Sequence, residues 1–238
     1  MDGLSLIIPC YNEGKIIRDS INEILKIFNI LKYKWEIIFV DDGSTDGTVN
    51  FIKELLNSFP NMKLITHEKN LGRGKTVQDG ILSASYNIVG YLDIDLEVHA
   101  RYIPCMISEI ENGIDIAVGY RFLKVTLNNL HRFILSRGYN LLIKKLLKVN
   151  LNDTESGFKF FNKSNILPIL SKMKYTGWFW DTEIMVLAYK KGLKIVEVPV
   201  LFIKRKDKKS SVRIIRDTFF YFKNLVTFWK ELRLDKYD

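Results

Sequence analysis

LSLIIPCYNEGKIIRDSINEILKIF, Leu4 to Phe28, carries the pattern from which the architecture follows. Leu4 to Pro9 is a short apolar run, the signature of a strand buried on both faces. Ile17, Ile21, Ile24, Leu25 and Phe28 then recur at helical spacing. The couplet repeats at once. Glu36 to Val40 reads as strand, DDGSTDGT as a turn, and Val49, Ile52, Leu55, Leu56 and Phe59 as one helical face, capped by Asp46 or a neighbouring hydroxyl. Lys63–Thr66 (strand), Lys75–Ser85 (helix), Ile88–Leu92 (strand), Ile103–Ile110 (helix) and Ile114–Val118 (strand) extend the series. Alternating strands and helices predict an α/β protein whose mixed, mostly parallel sheet is flanked by helices.

The second half is less regular. It holds a basic amphipathic stretch, a loop around Asp153 to Lys159, a helix from Asp181 to Lys191 ended by Gly192, and a strand from Lys194 to Ile203. Ile214 to Leu232 sets Ile215, Phe219, Phe222, Val226 and Trp229 at 4, 3, 4, 3 spacing, an amphipathic helix that either packs on the domain or lies in a lipid interface. The expected organisation is one domain over 1–212 and this helix over 213–238.

A chain of 238 residues with 47% hydrophobic and 26% charged residues can bury a real core, which excludes disordered and collagenous classes. Cys10 and Cys105 are too few for a disulfide framework and read as small buried hydrophobes of a reducing compartment. No secretory signal is visible, and the longest run without Asp, Glu, Lys or Arg, Gly80 to Leu92, is too short to span a bilayer. A soluble or membrane-surface protein is expected. The net charge of +9 is concentrated: His131–Lys148 has five Lys/Arg and no acid, Lys204–Arg216 has seven against one, and the remainder is slightly acidic. Such basic segments either face solvent or meet a partner that carries phosphates.

In open α/β sheets ligands bind beyond the carboxyl ends of the strands. Here those ends carry Tyr11-Asn12-Glu13, Asp41-Asp42 and Asp93-Ile94-Asp95-Leu96-Glu97, three acidic clusters that would repel one another without a cation or donors. Asp93 and Asp95, two apart on an extended chain, point to one side, and such a pair suits Mg²⁺ or Mn²⁺ shared with phosphate oxygens, with Glu97 as a further ligand. Gly74-Lys75-Thr76 matches the end of a P-loop, but Lys69 stands where its first glycine belongs, and Val77 replaces the third glycine of a dinucleotide fingerprint. A degraded phosphate loop is the remaining alternative there. His67, His99 and His131 receive no role, and Trp178, Phe179 and Trp180 read as core or lipid contacts.

Taken in order, Pro9-x-Tyr11-Asn12-Glu13, VDDGSTDGT (Val40–Thr48), NLGRGK (Asn70–Lys75), Asp93-x-Asp95, Gly119-Tyr120-Arg121, DTESGFK (Asp153–Lys159) and EVPV (Glu197–Val200) resemble family 2 glycosyltransferases of the GT-A fold. Within that family they look most like dolichyl-phosphate mannose and glucose synthases. The resemblance implies a nucleotide sugar, UDP-glucose or GDP-mannose, across the first strand ends. It puts Pro9, Tyr11, Glu13 and Asp42 at the nucleoside, Gly72 and Lys75 at the donor, and Asp93 at sugar or metal. Asp95 becomes the main cation ligand and Arg205 lies near the diphosphate. Glu97 falls where mannose synthases carry a metal-binding Gln. Arg121, Arg132 and Ser136 match an acceptor-phosphate site; the planar guanidinium fork suits that task. The usual Gly-x-Ser-Lys appears as Lys208-Lys209-Ser210-Ser211, a departure that touches closure over the donor.

The implied activity is inverting transfer of a hexose to a polyisoprenyl phosphate at the cytoplasmic face of a membrane. A phosphate monoester is largely ionised at neutral pH, so no protein base need deprotonate it. A glycan or other hydroxyl acceptor is the alternative, for which Asp153, Asp181 or Glu183 could serve as base. A basic nucleic-acid-binding protein is the remote one, opposed by the acidic strand ends, and no nucleic-acid partner is expected.

Overall fold

The computed structural model describes residues 3–123, 130–205, 214–234 and 236–237, with the side chains of residues 123, 130–137 and 214–219 outside that description. Its elements are β1 (Leu4–Cys10), α1 (Ile17–Phe28), β2 (Trp35–Asp41), α2 (Thr48–Ser58), β3 (Met62–Thr66), α3 (Arg73–Ser83), β4 (Ile88–Leu92), a 3₁₀ turn (Ala100–Tyr102) leading into α4 (Ile103–Glu111), β5 (Ile116–Leu123), α5 (Leu130–Leu147), β6 (Phe158–Asn162), α6 (Lys163–Leu170), α7 (Trp180–Lys190), β7 (Ile195–Phe202) and α8 (Ile214–Arg233). The seven strands form one sheet in the order β3-β2-β1-β4-β6-β5-β7. β1, β2, β3 and β4 pair in parallel, β6 runs antiparallel to both β4 and β5, and β7 is parallel to β5.

Strand side chains alternate between two cores. Ile7, Ile38, Val40, Val89, Tyr91 and Phe161 face the cluster that holds Val77 and Ile81 of α3 and Trp180, Ile184 and Val186 of α7. Leu4, Leu6, Ile8, Phe39 and Phe160 face the other, with Ile17, Ile21 and Ile24 of α1 and Ile103 and Met106 of α4. Both faces of the sheet are therefore covered, as parallel strands require.

Four expectations are corrected. The segment read as loop as far as Lys159 becomes β6 from Phe158, inserted between β4 and β5. Cys10 is buried but Cys105 is exposed. The face of α8 that enters the core carries Leu225 and Phe228, both fully buried, with Tyr221, Trp229 and Leu232 packed alongside, whereas Phe222 is exposed. Among the described residues no helix is long and apolar enough to cross a membrane. The expected Asp46 cap is not observed: the N-cap of α2 is Gly47, without a side-chain cap hydrogen bond, and Asp46, the residue before it, accepts from Thr48 N on Oδ1 at 3.0 Å.

Candidate active site

The loops after β1 and β2 are stitched together by side chains. Asn12 adopts φ 56°, a left-handed conformation that Asn tolerates better than most residues. Its N–H donates to Ser44 Oγ at 2.8 Å, and its Oδ1 accepts from Thr45 N at 2.8 Å. Glu13 N donates to Thr48 Oγ1 and Gly14 N to Asp46 Oδ2. Burial pushes the Asp46 carboxyl up, but hydrogen bonds from Thr48 and Gly14 outweigh it and hold the group below its ordinary value. Much of DDGSTDGT thus satisfies backbone N–H groups of the 12–14 turn. Pro9 and Glu13 are half-buried beside it, and Tyr11 is exposed.

Asp42, buried, accepts from Leu71 N (2.8 Å) and Gly72 N (3.0 Å) and meets His67 Nδ1 at 2.8 Å. Asp42 is thus tied to the 71–72 backbone and to the His67 ring. The one buried carboxylate oxygen without a partner among the described residues is Asp41 Oδ1. Gly72 sits at φ 101°, and a Cβ there would come within 2.6 Å of Thr176 O, so only glycine lets the chain pass between Asp42 and the 176–177 segment. Lys75 Nζ reaches Asp79 Oδ1 at 2.6 Å.

Beyond β4, Asp93 accepts from Arg73 through one oxygen only, Oδ1, at 3.0 Å from Nε and 2.6 Å from Nη2. Burial and the neighbouring Asp95 push the Asp93 carboxyl up, while Arg73 pulls it down. Gly157 backs this carboxylate: a Cβ there would fall 1.8 Å from Asp93 Oδ2. Beneath lies a buried polar cluster. Asp181 takes Arg73 Nη1 on Oδ2 and Lys159 Nζ (2.6 Å) together with the Tyr91 hydroxyl on Oδ1. Lys159 is fully buried, and burial lowers its ammonium, while the pairing with Asp181 pulls the other way. Burial pushes the Asp181 carboxyl up, but the two cations outweigh it and hold Asp181 below its usual range.

The expected trio of metal ligands is not assembled. Among the described residues no group of three His, Cys, Asp or Glu side chains is arranged for an ion. Glu97 Oε1 instead accepts from Arg205 N at 3.1 Å, which ties that carboxylate to the 203–205 segment. Asp93 and Asp95 stand close enough for Asp95 to push the Asp93 carboxyl up, and two carboxylates are a donor set that fits a hard divalent cation.

On the acceptor side, Arg121 is held by Asp153 in bidentate fashion, Nε to Oδ2 at 2.7 Å and Nη2 to Oδ1 at 2.8 Å. Burial pushes the nearby Glu155 carboxyl up to about 7, against the pull of Arg121 and with Asp153 adding to the rise. The side chains of Arg132 and Ser136 lie outside the described residues; the helix that carries them is α5.

Sequence reasoning missed Arg73, Tyr91, Lys159 and the bridging position of His67. Arg73 and Asp181 are 108 residues apart, and Tyr91 and Lys159 are 68 apart. The available signal was a Lys on the apolar strand Phe158–Asn162, since a buried lysine requires a carboxylate partner.

Residues 5–167 match the profile of Glycosyl transferase family 2. The chain is 31% identical over 209 residues to dolichyl-phosphate beta-glucosyltransferase ALG5A of Trichomonas vaginalis, covering 83% of this chain and 64% of that protein. It is 27% identical over 235 residues to glycosyltransferase AglD of Haloferax volcanii, covering 96% of this chain but 37% of AglD. It thus spans less than two thirds of either relative. Among solved structures, glucosyl-3-phosphoglycerate synthase from Mycobacterium tuberculosis, in complex with Mn²⁺, UDP-glucose and phosphoglyceric acid, superposes with a TM-score of 0.72 at 17% identity, over 96% of this chain and 80% of that one. That likeness shows a shared fold.

Proposed function

The chain belongs to glycosyl transferase family 2, and from that premise we propose that it transfers a hexose, with inversion, from a nucleotide sugar to a polyisoprenyl phosphate. The observation that carries the reading is the Asp93–Asp95 pair at the end of β4, where Arg73 bonds one oxygen of Asp93 and Asp95 Oδ1 accepts from Glu97 N at 3.3 Å. Asp93 and Asp95 would hold Mg²⁺ or Mn²⁺, which when bound neutralises charge on the departing diphosphate. Pro9, Tyr11, Glu13 and Asp41 would line the nucleoside pocket. Asp42 would shape the 71–72 backbone, and Lys75 and Arg205 would face the diphosphate. Relatives named dolichyl-phosphate beta-glucosyltransferase support a lipid-phosphate acceptor and favour glucose as the sugar.

The three carboxylates that could have served as base for a hydroxyl acceptor are engaged. Asp153 holds Arg121, Asp181 holds Arg73 and Lys159, and Glu183 accepts from Lys174 N, Tyr175 N and the Tyr237 hydroxyl. An acceptor phosphate needs none of them, because it arrives ionised. Arg121, already oriented by Asp153, would receive it together with Arg132 and Ser136. A hydroxyl acceptor has one specific observation in its favour: Glu155, raised to about 7, has the poise of a general base. Contact with the cytoplasmic face of a membrane would use the basic charge of the 131–148 and 204–216 sequence segments and the exposed Phe122, Leu201 and Ile203. α8 would serve as a packed flank of the domain rather than a separate anchor.

The test is transfer from UDP-glucose and GDP-mannose with Mg²⁺ or Mn²⁺ to a short polyprenyl phosphate. A chloroform-extractable sugar is expected. Asp95→Asn should lose at least a hundredfold in rate with an unchanged circular dichroism spectrum, and Glu155→Gln should retain transfer. Near-normal turnover by Asp95→Asn would refute the cation assignment, and an aqueous product lost in Glu155→Gln would favour the hydroxyl reading.

A further inference from the structure

Trp178-Phe179-Trp180 leads into α7, and the fold splits the three rings. Phe179 and Trp180 are buried in the core, whereas Trp178 is 39% exposed. Tryptophan carries a large apolar surface that folding normally covers, and ligand pockets are lined by such rings, so a partly bare indole next to the candidate site asks for a ligand.

The segment that carries Trp178 is pinned to the start of α3. Lys75 N donates to Thr176 O at 2.9 Å. A Cβ on Gly72 would meet Thr176 O at 2.6 Å, and one on Gly74 would run into Trp180 Cβ and meet Gly177 O at 2.8 Å. The two glycines of NLGRGK thus make room for residues 176–180. On the indole itself, the Arg73 guanidinium lies 5.2 Å from the ring centroid, a cation–π contact that steadies the ring. The same guanidinium bonds Asp93 Oδ1 and Asp181 Oδ2, so one side chain separates the indole from the Asp93 carboxylate.

This position narrows the ligand. Gly72 N donates to Asp42, at the nucleoside end of the donor reading, and Arg73 donates to Asp93, at its cation end. Trp178 is tied to the cation end, and the group beyond the diphosphate there is the hexose. An isoprenoid chain is the other apolar candidate. Exposed Phe122 and Leu201, however, belong to β5 and β7 at one end of the sheet, whereas Arg73 opens α3, which packs on β1 and β2 towards the other. A hexose is polar at its rim and apolar on its C–H faces, and such a face packs on an aromatic ring most completely where the hydroxyls are equatorial, as in glucose.

We propose that Trp178 is a substrate-binding residue whose indole forms a platform for the C–H face of the transferred hexose, beside the Asp93–Asp95 pair. The inference rests on the donor reading given above and deepens it by naming the sugar contact.

Calorimetric titration of the full chain with Mn²⁺ tests it, comparing UDP with UDP-glucose and GDP with GDP-mannose so that the sugar is read separately from the nucleotide. In Trp178→Ala the affinity for the sugar nucleotide relative to its parent diphosphate should fall about tenfold, while affinity for the diphosphate alone stays within about twofold of wild type. Trp178→Phe, which keeps a ring, should recover most of the loss, and the KM for polyprenyl phosphate should not change. An unchanged ratio in Trp178→Ala, with both ligands bound as in wild type, overturns the platform and leaves the donor reading standing. Equal losses for sugar nucleotide and diphosphate also overturn it, since the indole would then serve only to hold Arg73 and Asp93. A raised KM for polyprenyl phosphate with an unchanged ratio overturns it in favour of a lipid contact. Wild-type protein that binds none of these nucleotides overturns the donor reading and the platform with it.

Discussion

Replacing Asp181 with Asn removes the one anion that two buried cations share. Asp181 is 2% exposed, receives Arg73 Nη1 and Lys159 Nζ, and accepts from the Tyr91 hydroxyl. The four charged groups Arg73, Lys159, Asp93 and Asp181 sum to zero, and the substitution leaves +1 where Arg73, Lys159 and residue 181 are buried. At an effective dielectric of about 20, a pair 2.6 Å apart interacts by roughly 6 kcal/mol before desolvation is subtracted. Breaking a buried pair from one side costs about 3–5 kcal/mol net, because the remaining charge keeps its desolvation penalty without its partner. Urea unfolding of Asp181→Asn should therefore show a loss of about 3–5 kcal/mol. Adding Lys159→Met restores neutrality by leaving the Arg73–Asp93 pair, so the double variant should recover at least about 1 kcal/mol relative to the sum of the single losses. A loss below about 1 kcal/mol in Asp181→Asn, or strict additivity, would refute the claim that this cluster acts as one charge-balanced unit.

Gly157→Ala places a Cβ 1.8 Å from Asp93 Oδ2 and 2.8 Å from Arg73 Nη2, so the Asp93 carboxylate must move; transfer should fall about a hundredfold, as displacements near 1 Å do, in a rate assay. Phe228→Ala should cost about 3–5 kcal/mol in thermal or urea unfolding, since the ring is fully buried against Phe179 and Tyr237; a change under about 1 kcal/mol would mean that α8 lies off the domain. Glu155 gives a pH signature. Its folded carboxyl is raised from 4.5 to about 7, so between those values the folded chain holds a proton that the unfolded chain has released, and stability falls as pH rises through that window. At about 1.4 kcal/mol per unit the effect approaches roughly 3 kcal/mol, and Glu155→Gln should remove most of it when unfolding free energies at pH 5 and pH 8 are compared.

Local periodicity made the βα repeats of the first half legible, because buried strands and one-sided helices write their burial into neighbouring residues. Motif order made the family legible. The strand Phe158–Asn162 escaped because it begins inside a motif read as loop and has no helix before its partner to mark it. α7 shows why a period can vanish: Trp180 to Ala188 are all buried, so no polar face alternates with an apolar one, and Gly192 alone marked its end.

Sequence by itself determined the architecture class, the positions of the strand-end carboxylates and the segregation of basic charge, since each depends on residues close along the chain. Only the tertiary structure decided which of those carboxylates are spent. Asp153 turned out to be the partner of Arg121, Glu97 of the Arg205 backbone, and Asp42 of His67 and a glycine loop. Such pairings are set by which strand ends the sheet order brings together, a long-range outcome of packing that no local spacing encodes.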